Sequence, residues 1–429
     1  MKELKIKFRW ETEFKETEIG EIPKEWEVKK LGEISEITTG GTPRRNNPLY
    51  WNGNINWLKS QEVADNYIYD TEEKITELGR KNSNAKKIYS PGTLILALYA
   101  SPTAGRVAIL KTYSTINQAL AAIEGENNMF LFFSLIANRE RLLLSASGAA
   151  QQNLNLKLVK DFEIPYPPLP EQSRIATVLS WFDDLIEVKK RQNEILEKTA
   201  MAIFKSWFID FEPFRDGEFV YSEDLGKEIP KGWEVKKLGE VVKIESGGIA
   251  PQKEEYFIGG KNPFVRVKHL TNYPCVEEAD FINDEAVKQY NLKLYNEGSI
   301  IFQRSGESLS FGRVNILPFN AYIVNHLAVI PNLPSNKLLM EFLFFTLKNI
   351  LIELIEERNG TALPYIKISD IEKKEILLPP PHILQSFHSL VEPLFQKIIL
   401  NQKQIMTLRK IRDTLLPLLV FGKLRVEEV

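Results

Sequence analysis

Two stretches of this chain, 212 residues apart, carry the same long heptad seam, and that repetition limits what the chain can fold into. In the first, Ile175, Leu179, Phe182, Ile186, Leu196, Ala200, Ile203 and Trp207 lie three and four apart, with Lys189 and Asn193 in the two gaps. In the second, Phe387, Val391, Leu394, Ile398, Asn401, Ile405, Leu408, Arg412, Leu415 and Leu419 repeat the spacing. A seam held over more than four heptads reads as coiled coil rather than as one face of a surface helix. Prolines 167, 168 and 170 precede the first seam and prolines 379–381 the second. Proline is excluded from helix interiors but accepted in the first turn, so each cluster marks a helix start.

The repetition extends upstream. EIPKEWEVKKLGEI (residues 21–34) returns as EIPKGWEVKKLGEV (residues 228–241), an offset of 207 with two differences, Glu25/Gly232 and Ile34/Val241. Gly40 and Gly41 correspond to Gly247 and Gly248, the triplet GRV at 105–107 to 312–314, and NQAL from Asn117 to NHLA from Asn325. A period this long indicates duplicated domains and not a solenoid.

Within each copy, Thr93–Leu98 and Ser299–Phe302 read as buried strands, and Met129–Leu144 and Lys337–Glu356 as helices stopped by Gly148 and Gly360. Glu163–Ile164 and Glu375–Leu378 read as last strands before the prolines. The expected class is α+β, mixed α/β, in two similar blocks. The expected boundaries are a tail (1–20), the first block (21–170), the first long helix (171–210), a linker (211–227), the second block (228–381), the second long helix (382–422) and a C-terminal tail (423–429). A short linker lets the second helix return along the first. That arrangement is an antiparallel coiled coil with pseudo-two-fold symmetry and a block at each end. Pro393 predicts a kink near the start of the second helix.

Composition excludes several functions. One cysteine, Cys275, rules out a disulfide framework and a thiolate metal cluster, in keeping with a cytoplasmic location. The chain's start has no signal-peptide pattern, and no apolar run is long enough to span a bilayer, so no membrane is expected. There is no phosphate-binding G-x-x-x-x-G-K-[ST] loop and no Asn/Asp-Pro-Pro-aromatic methyl-transfer tetrapeptide. His269, His326, His382 and His388 lack metal-ligand spacing. Glu27 with Lys29, and Glu234 with Lys236, imitate half of a nuclease site, but strand alternation with charges outward accounts for them better. The net charge of −2 gives no bulk signature of nucleic-acid binding.

The motifs, taken together and in this order, resemble those of the specificity (S) subunit of type I restriction–modification enzymes from end to end. They are GEIPKEW (20–26) and its echo EIPKGW (228–233), TGGTP (39–43), Tyr50-Trp51, IPYPPLPEQ (164–172), LLPLL (415–419) and GKLRV (422–426). The second block closes on LPPPHILQ (378–385), a degraded form of the first copy's PPLPEQ. The resemblance implies two target recognition domains, each reading half of a bipartite site on double-stranded DNA, with the coiled coil setting the gap. It implies a non-catalytic chain that seats two modification (methyltransferase) subunits, joined by restriction subunits. S-adenosylmethionine, ATP and Mg²⁺ would belong to those partners, with no cofactor in this chain. Two other readings stand beside it: a stand-alone Mg²⁺-dependent nuclease, and a structural scaffold that binds no specific DNA.

Base readout needs side chains with paired donors and acceptors, and phosphate contacts need cations or small hydroxyls. In the first block the candidates are Thr42, Arg44, Arg45 and Asn46, then Ser101, Thr103 and Arg106, then Gln151, Gln152 and Asn153. In the second they are Gln252 and Lys253, Arg266 and Lys268 on one expected strand face, Arg304, Ser305 and Arg313, and Thr361, Tyr365 and Lys367. Arg106 and Arg313 share a GRV triplet and suit phosphate or a structural role better than base readout.

Overall fold

The computed structural model describes residues 6–99, 103–146, 153–305, 309, 312–357 and 365–428. It divides into two compact units, residues 1–184 with 409–429, and residues 185–408.

In the first unit a five-stranded sheet is built from β1 (Ser35–Thr39), β2 (Asn66–Ile68), β3 (Leu94–Ala97), β4 (Val107–Leu110) and β5 (Leu120–Gly125), in the order β1-β5-β3-β4-β2. Strand alternation explains why Leu94–Ala97, Val107–Leu110 and residues 120–123 of its central strands are apolar without a break. Leu94, Leu96, Val107, Ile109, Ala121 and Ile123 face one core with Phe130 and Phe133 of helix α1 (Asn128–Ala137). Ile95, Ala97, Ala108, Leu110 and Ala122 face another with Leu58 and Tyr89. A sheet buried on both faces has no polar side. A smaller sheet sets Trp51–Leu58 between Ser114–Ile116 and Glu73–Ile75.

The repeated EVKK segment of this unit, Glu27–Lys30, pairs antiparallel with Glu163–Tyr166, the strand that leads into the prolines. Glu27 and Lys29 bridge each other at 2.9 Å on the exposed face. Trp26 is fully buried, and its indole N–H donates to Glu171 Oε2 at 3.1 Å. Arg425 donates to the same carboxylate at 2.5 and 2.8 Å, so Glu171 of the PPLPEQ motif ties the last strand to the first helical turn.

The second unit repeats the plan. Its sheet runs β6-β9-β7-β8, with β6 (Glu245–Ser246), β7 (Ile300–Gln303), β8 (Val314–Ile316) and β9 (Leu327–Ile330). Ile300, Phe302, Val314, Ile316, Ala328 and Ile330 pack with Phe342 and Phe345, near the start of a helix Met340–Glu356. Ile301 and Val329 face the opposite core with Phe264. Glu234–Lys237 pairs with Glu375–Leu378. Where the first copy uses Glu171, this one uses rings: Trp233 packs on Phe208, Phe211 and Phe214 at 5.3–5.8 Å between centroids. That substitution accounts for the degraded motif.

Two 40-residue helices, α2 (Leu169–Phe208) and α3 (Pro381–Val420), follow the proline clusters, and each contributes to both units. In the second unit, Asn193 and Asn401 are fully buried and joined at 2.9 Å, and Lys189 donates to Gln404 at 2.5 Å. In the first, Arg412 meets Asp183 at 2.5 Å, and the Tyr67 hydroxyl donates to Asp183 at 3.3 Å.

Several expectations need correction. The polar tail of residues 1–20 contains a strand, Ile6–Trp10, paired antiparallel with Leu424–Glu428 of the other expected tail. Val426 in that pair is fully buried, and Arg425 is neutralised by Glu11 and Glu171. The second long helix continues through Pro393 without interruption. The helix-interior cost of proline, about 3 kcal/mol, is offset there by burial of Phe387, Val391, Phe395 and Ile398. Beyond Ala200 the buried positions are Phe204 and Phe208, one residue past the heptad places Ile203 and Trp207. A straight helix of 3.6 residues per turn drifts this way against a 3.5 repeat. The expected stops Gly148 and Gly360 lie outside the described residues.

Candidate nucleic-acid interface

Sheet register decides which loops can act together. In the first unit β1 and β3 both run antiparallel to β5, with Thr39 opposite Ala121 and Ala97 opposite Leu120. The loops after β1 and β3 and the turn before β5 therefore leave the same sheet end. Backbone bonds lock them: Gly41 N–H to Ile116 O at 2.9 Å, Leu98 N–H to Ala119 O at 2.8 Å and Leu154 N–H to Leu98 O at 2.9 Å. A side chain at Gly40 would put its Cβ 1.8 Å from the Ile116 carbonyl. The glycine pair thus permits close backbone approach.

In the second unit Ser246 lies opposite Ala328 and Gln303 opposite Leu327, so the same end is rebuilt. Gly248 N–H reaches Ile323 O at 2.7 Å, Arg304 N–H reaches His326 O at 3.3 Å and Ile366 N–H reaches Arg304 O at 2.8 Å. The equivalence of Ala119 with His326 keeps the offset at 207. It pairs Asn325 with Gln118, and corrects the sequence match of Asn325 with Asn117 by one position.

The candidate residues on these rims divide by how their donors are spent. Arg45 is held by the protein: it grips Glu73 at 2.5 and 3.1 Å and lies 4.0 Å over the Trp51 ring and 4.8 Å over that of Trp57. Its hydrogen bond holds the Glu73 carboxyl below the usual range. Thr42 bonds Gln118, and the buried Thr103 hydroxyl donates to Tyr99 O at 3.1 Å. Arg304 gives Nε and one terminal nitrogen to Asn325 O at 3.2 and 2.7 Å, and its other contacts are Ser246 Oγ at 2.9 Å and the Tyr365 hydroxyl at 2.8 Å. Arg313 donates to Leu270 O at 3.0 Å, and burial lowers its pKa. Lys253 bridges Glu255 at 3.0 Å, and the Gln252 amide folds back on Ala250 O at 2.9 Å.

Arg266 and Lys268 do not share a strand face. The strand Asn262–Val265 ends before them, and a 3₁₀ turn, Val267–His269, brings both onto Asp280. Burial pushes Asp280 up, but the Lys268 and Arg266 hydrogen bonds outweigh it and leave the carboxyl low. Beneath them His269 is buried, its Nδ1 accepts Arg266 N–H at 2.9 Å, and burial lowers its pKa. The first unit has the same device 207 residues earlier, where Lys59 bridges Glu73 at 3.3 Å and its N–H bonds Glu62. Sequence reasoning missed Lys59, although the offset would have found it. Paired in both copies, Lys59 and Arg266 belong to the frame.

Arg44 and Asn46 are exposed, Arg106 is half-buried and Lys367 is exposed, and none holds a side-chain partner among the described residues. The Arg44 backbone is nevertheless fixed, because its carbonyl accepts the Trp51 indole N–H at 3.2 Å. Asn153 is exposed beside the anchored Leu154. Ser305 Oγ lies 2.8 Å from His326 Nδ1, a histidine the sequence motifs did not single out. Ser101, Gln151, Gln152 and Thr361 lie outside the described residues. Among the described residues no cluster of histidine, cysteine, aspartate or glutamate could hold a metal ion, and no helix is long and apolar enough to cross a membrane.

Comparison with known proteins matches residues 23–198 and 230–410 to the family described as Type I restriction modification DNA specificity domain. The chain is 53% identical over 432 residues to the type I restriction enzyme MjaIX specificity subunit of Methanocaldococcus jannaschii, covering 99% of each. It is 23% identical to the type I restriction enzyme HindI specificity subunit of Haemophilus influenzae, over 93% of this chain and all of that one. Its fold matches the crystal structure of a type I restriction–modification system S subunit from M. genitalium with a TM-score of 0.53 and 18% identity, over 92% of this chain and 96% of the other.

Proposed function

Since the chain belongs to the type I restriction–modification DNA specificity family, we propose that each of its units reads one half of a bipartite DNA site and that α2 and α3 set the gap between the halves. DNA recognition as a type I specificity subunit is the function of the chain. The observation that carries the two-half reading is the rim built twice from the same backbone bonds but with different side chains. Ala119 stands in one copy where His326 stands in the other, and Leu98 where Arg304 does.

Base readout falls in this reading to the unspent Arg44 and Asn46 in the first unit and Lys367 in the second, together with Asn153 and the loop positions Ser101, Gln151, Gln152 and Thr361. Arg106 serves phosphate. Arg45, Arg266, Lys268, Arg304 and Arg313 hold the loops in place, since each already binds a protein acceptor. The helices pair as an antiparallel coiled coil with pseudo-two-fold symmetry. In support, rising numbers on one helix meet falling numbers on the other, as in Asp183 with Arg412 and Asn193 with Asn401. At 1.5 Å per residue, 40 residues give a ruler of about 60 Å.

The chain is non-catalytic in this account and works in the cytoplasm. It seats two modification subunits, with restriction subunits joining them, and those partners bind S-adenosylmethionine, ATP and Mg²⁺. Leu185, Val188 and Ile195, exposed apolar positions on α2, support docking there. The test is to co-express the chain with its methyltransferase subunit and map methylated adenines genome-wide. A split motif with a fixed gap is expected, and scattered or absent methylation refutes the reading.

A further inference from the structure

At the rim of the second unit, His326 is a side chain both held in place and left with an unspent polar atom. The turn that carries it is bonded on every side. Val324 N–H reaches Val265 O at 3.0 Å, Asn325 N–H reaches Gly248 O at 2.7 Å and Leu327 N–H reaches Val324 O at 3.0 Å. Asn325 O receives two guanidinium donors from Arg304, and His326 O receives the Arg304 backbone N–H. The imidazole itself is pinned through Nδ1 to Ser305 Oγ at 2.8 Å. The residue is exposed, and Nε2 has no partner among the described residues.

We propose that His326 reads a purine edge in the half-site bound by the second unit, with Nε2–H donating to N7 in the major groove. Ser305 acts as its positioning residue: when the Ser305 hydroxyl donates to Nδ1, the ring proton sits on Nε2. This role rests on the second unit being a reader of DNA, as proposed above. A ring already fixed by its neighbours loses little conformational freedom on binding, which favours a contact that discriminates. Arg304 next to it has the right chemistry for guanine but has its donors committed to Asn325, Ser246 and Tyr365. In the first unit the equivalent position is Ala119, whose carbonyl accepts the Leu98 N–H in the same manner. The framework is kept while the side chain changes, as two readers of different half-sites require.

The test compares the unaltered chain with His326→Ala and Ser305→Ala, each co-expressed with the methyltransferase subunit and mapped genome-wide. With His326→Ala, the gap and one half-site stay the same, and the other half-site relaxes at one base pair by about tenfold. Ser305→Ala relaxes the same base pair to a smaller degree. In binding assays with the assembled complex, a 7-deazapurine at that position weakens the unaltered protein about tenfold and leaves His326→Ala unchanged. A split motif that His326→Ala leaves intact, relaxation in both halves, loss of all methylation, or equal sensitivity of both proteins to the 7-deazapurine overturns the role of His326 alone. If the unaltered complex gives no split motif, the half-site reading falls and this role with it.

Discussion

Glu171 is the most consequential single acid in the first unit, and the cost of removing it can be worked from its contacts. It is 4% exposed and accepts the Trp26 indole N–H together with two donors from Arg425, itself 7% exposed. Glu171→Ala removes one of the two buried carboxylates that neutralise Arg425, leaving Glu11, and orphans a buried N–H. Glu25, which also reaches Arg425, has a side chain 71% exposed and is a weak substitute. Breaking a buried ion pair from one side costs about 3–5 kcal/mol, and with Glu11 still on Arg425 the lower end, about 3 kcal/mol, applies. For a unit of about 200 residues, 1 kcal/mol moves the melting temperature by about 2–4 °C, so a fall near 10 °C is expected.

Replacing both partners, as Glu171→Leu with Arg425→Met, removes the under-compensated guanidinium and should recover part of that loss, the Trp26 N–H staying unpaired. Glu11 then keeps the N–H groups of Thr12 and Glu13 at 2.8 and 3.1 Å. Differential scanning calorimetry on the full chain reads the result, with the second unit's transition as an internal reference. A Glu171→Ala protein that melts with the unaltered one refutes the reasoning, as does a double variant that melts below the single.

Two further outcomes are expected. Burial raises the Glu11 carboxyl, but N–H groups of Glu13 and Thr12 with Arg425 and Arg9 outweigh it and bring the pKa down from 4.5 to about 2. Because the folded value is depressed, this contribution is complete above about pH 4.5 and is lost as pH falls toward 2; melting temperature against pH should show that slope for the first unit, flattened by Glu11→Gln. Inserting seven residues at matching levels of α2 and α3 adds about 10 Å, or about three base pairs, to the gap without changing either half-sequence, which methylation mapping would detect.

The parts legible in the sequence were those that depend on local pattern. The proline clusters and seams marked α2 and α3, and the repeated EVKK segment gave two equivalent strands, because proline geometry and side-chain periodicity act over a few residues. The strand Ile6–Trp10 was not legible, since its partner lies more than 400 residues away and its own charged Lys7 and Arg9 mimic a tail. The candidate surface was legible as a set of loops but not as a set of roles. Arg45, Arg266 and Arg304 look alike in sequence to Arg44. What separates them is an acceptor supplied from elsewhere, Glu73, Asp280 or Asn325 O, and only the fold brings these together. His326 went unmarked for the converse reason: its value depends on Ser305, 21 residues earlier in the chain.

The boundary between the two units falls inside the long helices, at residues 184/185 and 408/409, and not in the loop that joins α2 to the second block. Phe204 and Phe208, near the end of α2, are core residues of the second unit, packed on Phe342 and Phe387. Chimeras that trade one specificity for another should therefore be spliced within the helices. A donor segment cut at residue 228 arrives without the aromatic residues its interior was built around.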